Sequence, residues 1–331
     1  MNPAAVEEVI RVEDLSVTFT SRRGLRAKRT LRALDGISFG VRRGETFGLV
    51  GESGGGKSTL VRTLFGINEP SAGRIRLLGH DPRQLRPRER RALRNRVQLV
   101  FQDPYSSLDP RMTAHEIVAE PLRIAGGYSR DRVVRLLAQV GLTEDALARR
   151  PAEFSGGQRQ RLGIARALAL EPEVLVLDEP VSALDASVQA QVINLLEDLQ
   201  ERLGLSYLFI AHDLSVVRHL ADRVAVMHLG KLVEIGDTEE IFTRPRHPYT
   251  RALIASAPIP DPHKRIRDAA LLVRGEMPDA ANPPGGCSFR TRCPIAKPEC
   301  AQREPALEPT GADGHTVACL FPLPTLDQEN S

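Results

Sequence analysis

Short apolar runs alternate with amphipathic stretches over the first two-thirds of the chain. The strand-like runs are Val9–Thr20, Leu31–Val41, Thr46–Val50, Val97–Phe101, Val174–Leu177, Tyr207–Ala211 and Val224–Met227. Between two of them, apolar residues from Val188 to Leu203 recur at helical spacing and predict a helix with one face packed on a sheet. Alternation of strands and helices predicts an α/β fold.

The pattern changes after about Arg244, because 14 of the 24 prolines lie from Pro245 to Pro324. Proline removes backbone donors and interrupts helices and strands. We therefore expect two parts, residues 1–250 and a small irregular extension over residues 251–331. The extension holds all four cysteines, Cys287, Cys293, Cys300 and Cys319. In a reducing compartment, clustered cysteines favour metal ligation over disulfides.

Charge and hydropathy set limits on the function. The chain has 45 basic and 42 acidic residues, a net charge of +3 that indicates neither nucleic acid nor membrane. No apolar run approaches the roughly 18 residues that a membrane-spanning helix needs, and the N-terminus lacks the pattern of a signal peptide. We expect a cytosolic chain that reaches a membrane only through a partner.

A glycine-rich loop follows the predicted strand Thr46–Val50. It matches G-x-x-x-x-G-K-[ST], a pattern that wraps phosphates in backbone N–H groups. Lys57 can reach the β- and γ-phosphates, Ser58 can bind Mg²⁺, and the following helix contributes its positive end. The chain is therefore predicted to bind a nucleoside triphosphate. The predicted phosphate-site residues are Gly51, Glu52, Ser53, Gly54, Gly55, Gly56, Lys57, Ser58 and Thr59.

Two carboxylates end the predicted strand that begins at Val174. At a strand end beside a phosphate loop, Asp178 can hold Mg²⁺ while Glu179 polarises the attacking water. Phosphoryl transfer depends mainly on positioning and charge neutralisation. The two carboxylates therefore predict that the chain hydrolyses the bound nucleotide.

A helical pattern that runs to Leu170 begins with Ser155-Gly156-Gly157-Gln158. Ser155 and Gln158 have the spacing of a capping box. Each glycine costs about 1 kcal/mol in a helix relative to alanine, so we expect the backbone to approach a ligand closely there. Amide groups at a helix N-terminus favour phosphate.

In their order, these segments resemble the ABC ATPases over about residues 8–255. Ser155–Gln158 is similar to the signature motif and Ser182–Asp185 to the D-loop. The resemblance implies a RecA-like core with an antiparallel β subdomain and a helical signature subdomain. The site roles it implies are Glu179 and His212 in catalysis, Phe19 against adenine, Gln102 in the Q-loop and at the nucleotide, and Ser58, Gln102 and Asp178 as Mg²⁺ ligands.

The resemblance also implies partners. ATP on one subunit would meet the signature and D-loop of a second subunit. The residues that would act in trans are Ser155, Gly156, Gly157, Gln158 and Asp185. Two transmembrane permeases would contact Asp103–Met112, which contains Tyr105, Leu108 and Asp109. An extracytoplasmic binding protein would complete the complex, with this chain peripheral on the cytoplasmic side of the membrane.

The extension narrows the resemblance. Arg246-His247-Pro248-Tyr249-Thr250 and the spaced cysteines are similar to the tail of dipeptide/oligopeptide importer ATPases, most of all the second, F-type subunit. That family implies ATP-driven peptide import, a heterodimer with a related ATPase, and a [4Fe–4S] cluster on the four cysteines. The alternatives are a zinc site, formed by cysteines only or by three cysteines and His315, and free or partly disulfide-bonded thiols.

Other functions remain open at this stage. Nickel or another small solute is the alternative cargo within the importers. A non-transport ABC ATPase acting on nucleic acid is disfavoured, because the basic clusters lack interleaved aromatics. A protein that binds ATP without turnover is disfavoured by the presence of Asp178, Glu179 and His212.

Overall fold

The computed structural model describes residues 7–23, 27–103, 107–256, 278–310 and 314–324. The strands are β1 (Glu8–Arg23), β2 (Ala27–Arg42), β3 (Thr46–Val50), β4 (Ala72–Leu77), β5 (Val97–Val100), β6 (Val174–Asp178), β7 (Ser206–Ala211), β8 (Arg223–His228), β9 (Lys231–Asp237), β10 (Glu308–Pro309) and β11 (Thr316–Val317). The helices are α1 (Lys57–Leu64), α2 (Pro87–Arg96), α3 (Ala114–Ala125), α4 (Arg130–Gln139), α5 (Gly156–Leu168), α6 (Ala186–Leu203), α7 (Leu214–Leu220), α8 (Thr238–Thr243), α9 (Pro248–Ser256) and α10 (Glu299–Gln302). Short 3₁₀ turns cover Glu144–Ala148 and Pro151–Glu153.

The chain forms two compact units. The first comprises the described parts of residues 1–11, 40–46 and 76–211, and the second those of 12–39, 47–75 and 212–331. The strands β1, β2 and β4 form a three-stranded sheet of order β2-β1-β4. Ile37, Phe39 and Val41 on β2 are buried at every second position, as expected where one face of a strand is covered.

In the first unit, β5, β6 and β7 pair in parallel, with Val97 opposite Val174 and Val174 opposite Ser206. Val174–Leu177 is completely buried, since helices cover both faces of most parallel sheets. Helix α5 packs against α3, α4 and α6. Each buried leucine or valine in this packing contributes about 1.5–3 kcal/mol.

In the second unit, β3 pairs in parallel with β8, and β9 is antiparallel to β8 with a bulge between Val226 and Met227. The sheet continues into the C-terminal region, where β11 pairs with β9 and β10 with β11. The proline-rich tail was expected to be irregular, yet part of it completes a sheet edge. Thr316 and Val317 lie opposite Ile235 and Glu234.

Several of the predicted elements differ from the structure. The strand ending at Phe101 stops at Val100, and Phe101 is exposed. The helix expected to reach Leu170 ends at Leu168. Strands β4 and β9 were missed. In β4, arginines alternate with the buried Ile75 and Leu77, and in β9 the buried Glu234 interrupts the apolar run. Among the described residues, none of the helices combines the length and the apolar composition that a membrane span requires.

Candidate nucleotide site

The glycine-rich loop joins β3 to α1 in the second unit. Gly56 caps α1 with a left-handed φ of 109°, and a Cβ there would lie 2.5 Å from the carbonyl oxygen of Ala33. Any other residue would clash, so glycine is required by both conformation and space. The Gly230 amide donates to the Gly55 carbonyl at 2.8 Å and fixes the loop from the other side.

The lysine of the loop is buried. Lys57 is 5% exposed, and its Nζ donates to the carbonyl oxygens of Gly51 at 2.6 Å and Glu52 at 3.1 Å. Ser53, Gly54 and Ser58 are exposed, and Thr59 is half-buried. The loop therefore places an ammonium group, exposed backbone and a helix N-terminus together, as the sequence predicted. Such a set is suited to binding phosphate.

The strand-end carboxylates lie in the first unit. Asp178 is the last residue of β6, and Glu179 follows it with a left-handed φ of 47°. That conformation costs a non-glycine residue about 1–3 kcal/mol and is typical of functional sites. The Glu179 amide donates to the Ile210 carbonyl at 2.9 Å, and the amide and hydroxyl of Ser182 donate to the Glu179 carbonyl at 3.3 and 3.1 Å.

The structure brings Gln102 to Glu179. The side-chain amide of Gln102 donates to Glu179 Oε2 at 2.8 Å. Two residues that the sequence singled out, 77 positions apart, therefore share one hydrogen bond. In the segment expected to meet the permeases, Leu108 is buried and Asp109 pairs with Arg111, whereas Tyr105 lies outside the described residues.

The predicted capping box at the start of α5 is present. Ser155 Oγ accepts from the Gln158 amide at 3.3 Å, and Gln158 Oε1 accepts from the Ser155 amide at 3.1 Å. Gly156 and Gly157 also have a reason in packing, beside the ligand expected from the sequence. A Cβ on Gly157 would lie 2.3 Å from Val188 Cγ1, and one on Gly156 would lie 3.1 Å from Leu184 Cδ2.

This packing joins the signature segment to the D-loop within the first unit. Asp185 caps α6, because its Oδ1 accepts from the Val188 amide at 3.0 Å and from Ser187 Oγ at 2.8 Å. These hydrogen bonds lower the pKa of Asp185. The glycines thus allow the N-terminus of α5 to lie against the start of α6.

Two further predicted site residues lie in the second unit. His212 directly follows β7 and is exposed, and Asp213 beside it caps α7. Phe19 lies on β1 and is 41% exposed. A buried core position, the ordinary alternative for an aromatic residue on a strand, is therefore wrong for Phe19.

The four cysteines line one small cavity in the second unit, together with Phe289, Leu320 and Phe321. Burial raises the pKa of Cys287 and Cys293, and burial together with the other three thiols raises that of Cys319 to about 12. Yet among the described residues no three His, Cys, Asp or Glu side chains are arranged to hold a metal ion. His315, the alternative zinc ligand, instead lies 2.8 Å from Glu234 Oε1.

Sequence reasoning missed the contacts between this tail and the phosphate loop. Arg292 forms two hydrogen bonds to the Glu52 carboxylate, at 2.7 and 2.8 Å. Tyr249 Oη accepts from the Glu52 amide at 3.0 Å. The one signal in the sequence was Glu52 itself, because a carboxylate in a phosphate-binding loop is stabilised by a cationic neighbour.

Comparison with known proteins agrees with this arrangement. The ABC transporter family matches residues 34–182, and the oligopeptide/dipeptide transporter C-terminal region matches residues 233–300. The oligopeptide transport ATP-binding protein OppF of Escherichia coli is 50% identical over 321 residues, which cover 94% of this chain and 96% of OppF. AppF of Bacillus subtilis is 47% identical over 96% of this chain and 99% of its own length.

Solved structures give the same fold. CbiO1 from Clostridium perfringens, part of an ABC transporter complex, superposes with a TM-score of 0.62 at 30% identity, covering 72% of this chain and 92% of CbiO1. The dimeric ABC transporter cassette MJ0796 superposes with a TM-score of 0.60 at 28% identity, covering 69% of this chain and 98% of the cassette.

The strand–loop–helix with a buried lysine, the strand-end carboxylates and the capped glycine pair are the parts of an ATP-binding cassette. With the matches above, they identify the class of protein as the ABC transporter ATPases. The chain belongs to the oligopeptide/dipeptide transporter ATP-binding proteins of that class. Both resemblances found in the sequence are confirmed.

Proposed function

We propose that this chain hydrolyses ATP to drive the import of di- and oligopeptides through an ABC transporter, from the cytoplasmic side of the membrane. The observation that carries the nucleotide part is the loop from Gly51 to Thr59, with Lys57 buried against its carbonyl groups. Phosphate oxygens would join those carbonyls around the ammonium group, which has three N–H donors. The matched C-terminal region and the relatives OppF and AppF support peptides over nickel or another small solute.

The hydrogen bond between Gln102 and Glu179 supports a role for Glu179 in orienting the attacking water. A carboxylate fixed in one direction is a better general base than a mobile one. We propose Glu179 and His212 as the catalytic residues, and Phe19 as the partner of the adenine ring. The side chains of Ser58, Gln102 and Asp178 offer the oxygen ligands that Mg²⁺ prefers. The metal ion would neutralise the phosphate charge.

The N-terminus of α5, where the cap residue Ser155 is exposed, supports a second nucleotide contact, made in trans by Ser155, Gly156, Gly157 and Gln158, with Asp185 nearby. The solved MJ0796 cassette is dimeric, and one of its structures contains ADP and phosphate. We propose that the partner here is a related ATPase subunit, and that two permeases and a binding protein complete the complex. Within the chain, we propose residues 1–250 as the cassette and 251–331 as the extension.

A cysteine-bound group is a separate proposal. Four thiols in one cavity fit a [4Fe–4S] cluster in number and type, but their positions do not form a metal-binding arrangement. The raised pKa values of Cys287, Cys293 and Cys319 mean that a bound cation would have to stabilise the thiolates. Iron and zinc analysis of anaerobically purified protein tests this proposal: brown, iron-containing protein supports a cluster, stoichiometric zinc supports a zinc site, and metal-free protein contradicts both.

Nucleotide binding to the purified full chain tests the ATP site. Lys57→Ala should weaken ATP binding by at least tenfold, because the ammonium group is the central cation of the loop. Lys297→Ala, which removes an exposed lysine of the tail, is the matched control and should bind normally. Equal binding by both variants would contradict the site.

Alone, the chain should be a weak ATPase, because its proposed partner is a related but distinct subunit. High turnover by a purified homodimer would contradict the proposed heterodimer.

A further inference from the structure

Glu52, the second residue of the phosphate loop, is held at each of its polar groups. Its amide donates to Tyr249 Oη at 3.0 Å, and its carbonyl accepts from Lys57 Nζ and from the Gly55 amide, both at 3.1 Å. Its carboxylate accepts the two hydrogen bonds from Arg292. The tail therefore contacts both the amide and the side chain of the loop residue whose carbonyl accepts from Lys57.

The contact with Arg292 is the strongest of these. It is a bidentate, charge-assisted pair with N–O distances of 2.7 and 2.8 Å, a geometry that fixes direction as well as distance. The Arg292 side chain is 7% exposed and that of Glu52 26%. Hydrogen bonding to Arg292 lowers the pKa of Glu52, and the carboxylate raises that of Arg292. The pair stays ionised through the physiological pH range.

Arg292 is itself fixed by the tail. Its amide donates to the Phe289 carbonyl at 3.0 Å. The centroid of the Phe289 ring lies 5.2 Å from that of Tyr249 and 5.5 Å from that of His228. The next residue, Cys293, lines the cysteine cavity. Arg292 therefore connects the cavity-lining Cys293, its neighbour in the sequence, with Glu52 of the phosphate loop. A shift of the backbone at Cys293 would change the position of the Glu52 carboxylate.

We propose that Arg292 is a positioning residue for nucleotide binding: by holding the Glu52 carboxylate, it fixes the loop carbonyls around Lys57 and sets the affinity for ATP. The inference rests on the proposed ATP site. A role limited to tail stability would lower the fraction of folded protein but leave the Kd of the folded protein unchanged. The two roles are therefore separable.

The test compares ATP Kd values of the full chain, measured below its unfolding temperature, for Arg292→Met, Arg292→Lys, Glu52→Gln and the double variant Arg292→Met/Glu52→Gln. Arg290→Met is the matched control, because Arg290 bonds the Gly285 carbonyl instead. We expect about tenfold weaker binding for Arg292→Met, which corresponds to about 1.4 kcal/mol, and a smaller loss for Arg292→Lys. The double variant should bind no more weakly than Arg292→Met alone. For Arg292→Met, kcat at saturating ATP should stay within about twofold of the parent for the same complex.

Unchanged Kd values for the Arg292 variants, or losses that add in the double variant, would overturn the inference. If Arg292→Met does not fold, Arg292→Lys and Glu52→Gln apply the same criterion. The ATP site is judged separately. If the unaltered chain does not bind ATP, or Lys57→Ala binds it normally, the proposed function fails, whereas normal binding by the unaltered chain and by Arg292→Met rejects the positioning role alone.

Discussion

Gly157→Ala tests whether the glycine in the first turn of α5 serves packing. The new Cβ would lie 2.3 Å from Val188 Cγ1, more than 1 Å inside the ordinary contact distance. Valine is stiff about χ1, so relief needs an unfavourable rotamer or a shift of α6. Overpacking of this kind costs about 1–3 kcal/mol, against a gain of about 1 kcal/mol from helix propensity. We expect a net loss of up to about 2 kcal/mol.

The assay is urea unfolding of the full chain, with Gly163→Ala as the matched control. Gly163 lies in the same helix and a Cβ there meets nothing within 4 Å, so this variant should be stabilised by up to about 1 kcal/mol. Val188→Ala should rescue Gly157→Ala, because it removes the methyl groups in conflict. Equal stability of the two glycine variants, or no rescue by Val188→Ala, would refute the packing explanation.

Three other predictions follow from the site. Burial lowers the pKa of His228 to about 4, so the unfolded chain binds a proton at a higher pH than the folded chain, and the free energy of unfolding falls as pH drops below about 6.5. Between pH 7 and 4.5 in urea unfolding, His228→Phe should therefore lose about 2–3 kcal/mol less of this free energy than the parent. An equal loss would contradict this. Ser155→Ala should lower the stability by about 1 kcal/mol and Ser155→Asp should retain it, whereas equal unfolding midpoints would show that the cap contributes nothing. Gln102→Ala should slow hydrolysis at saturating ATP by up to about 10²-fold, because Glu179 loses its hydrogen-bond partner. An unchanged rate in a steady-state ATPase assay would argue against that role.

Local patterns made much of the fold and the site predictable. The strand Thr46–Val50 has the predicted bounds, and the helix predicted from the spacing of Val188 to Leu203 covers Ala186–Leu203. The capping box of Ser155 and Gln158 is also as predicted. Each of these depends on residues close together in the sequence, where periodicity and capping chemistry act directly.

Contacts between distant residues could not be predicted in the same way. Glu52 and Arg292 are 240 positions apart, and a single sequence does not pair two charges over that distance. The left-handed backbone of Glu179 has no residue-type signal, since glutamate rarely adopts it. The packing of Gly157 was missed for a related reason: the sequence indicates that the backbone is approached closely, but not that Val188 is a group that approaches it.

The most direct test of the account measures ATPase turnover of the complex, with its permeases and binding protein, in the presence and absence of peptide. We predict peptide-stimulated hydrolysis for the unaltered chain. Glu179→Gln should bind ATP but lose turnover by about 10²–10⁴-fold, as expected when a general base is removed. Near-normal hydrolysis by Glu179→Gln, or turnover that does not respond to peptide, would contradict the account.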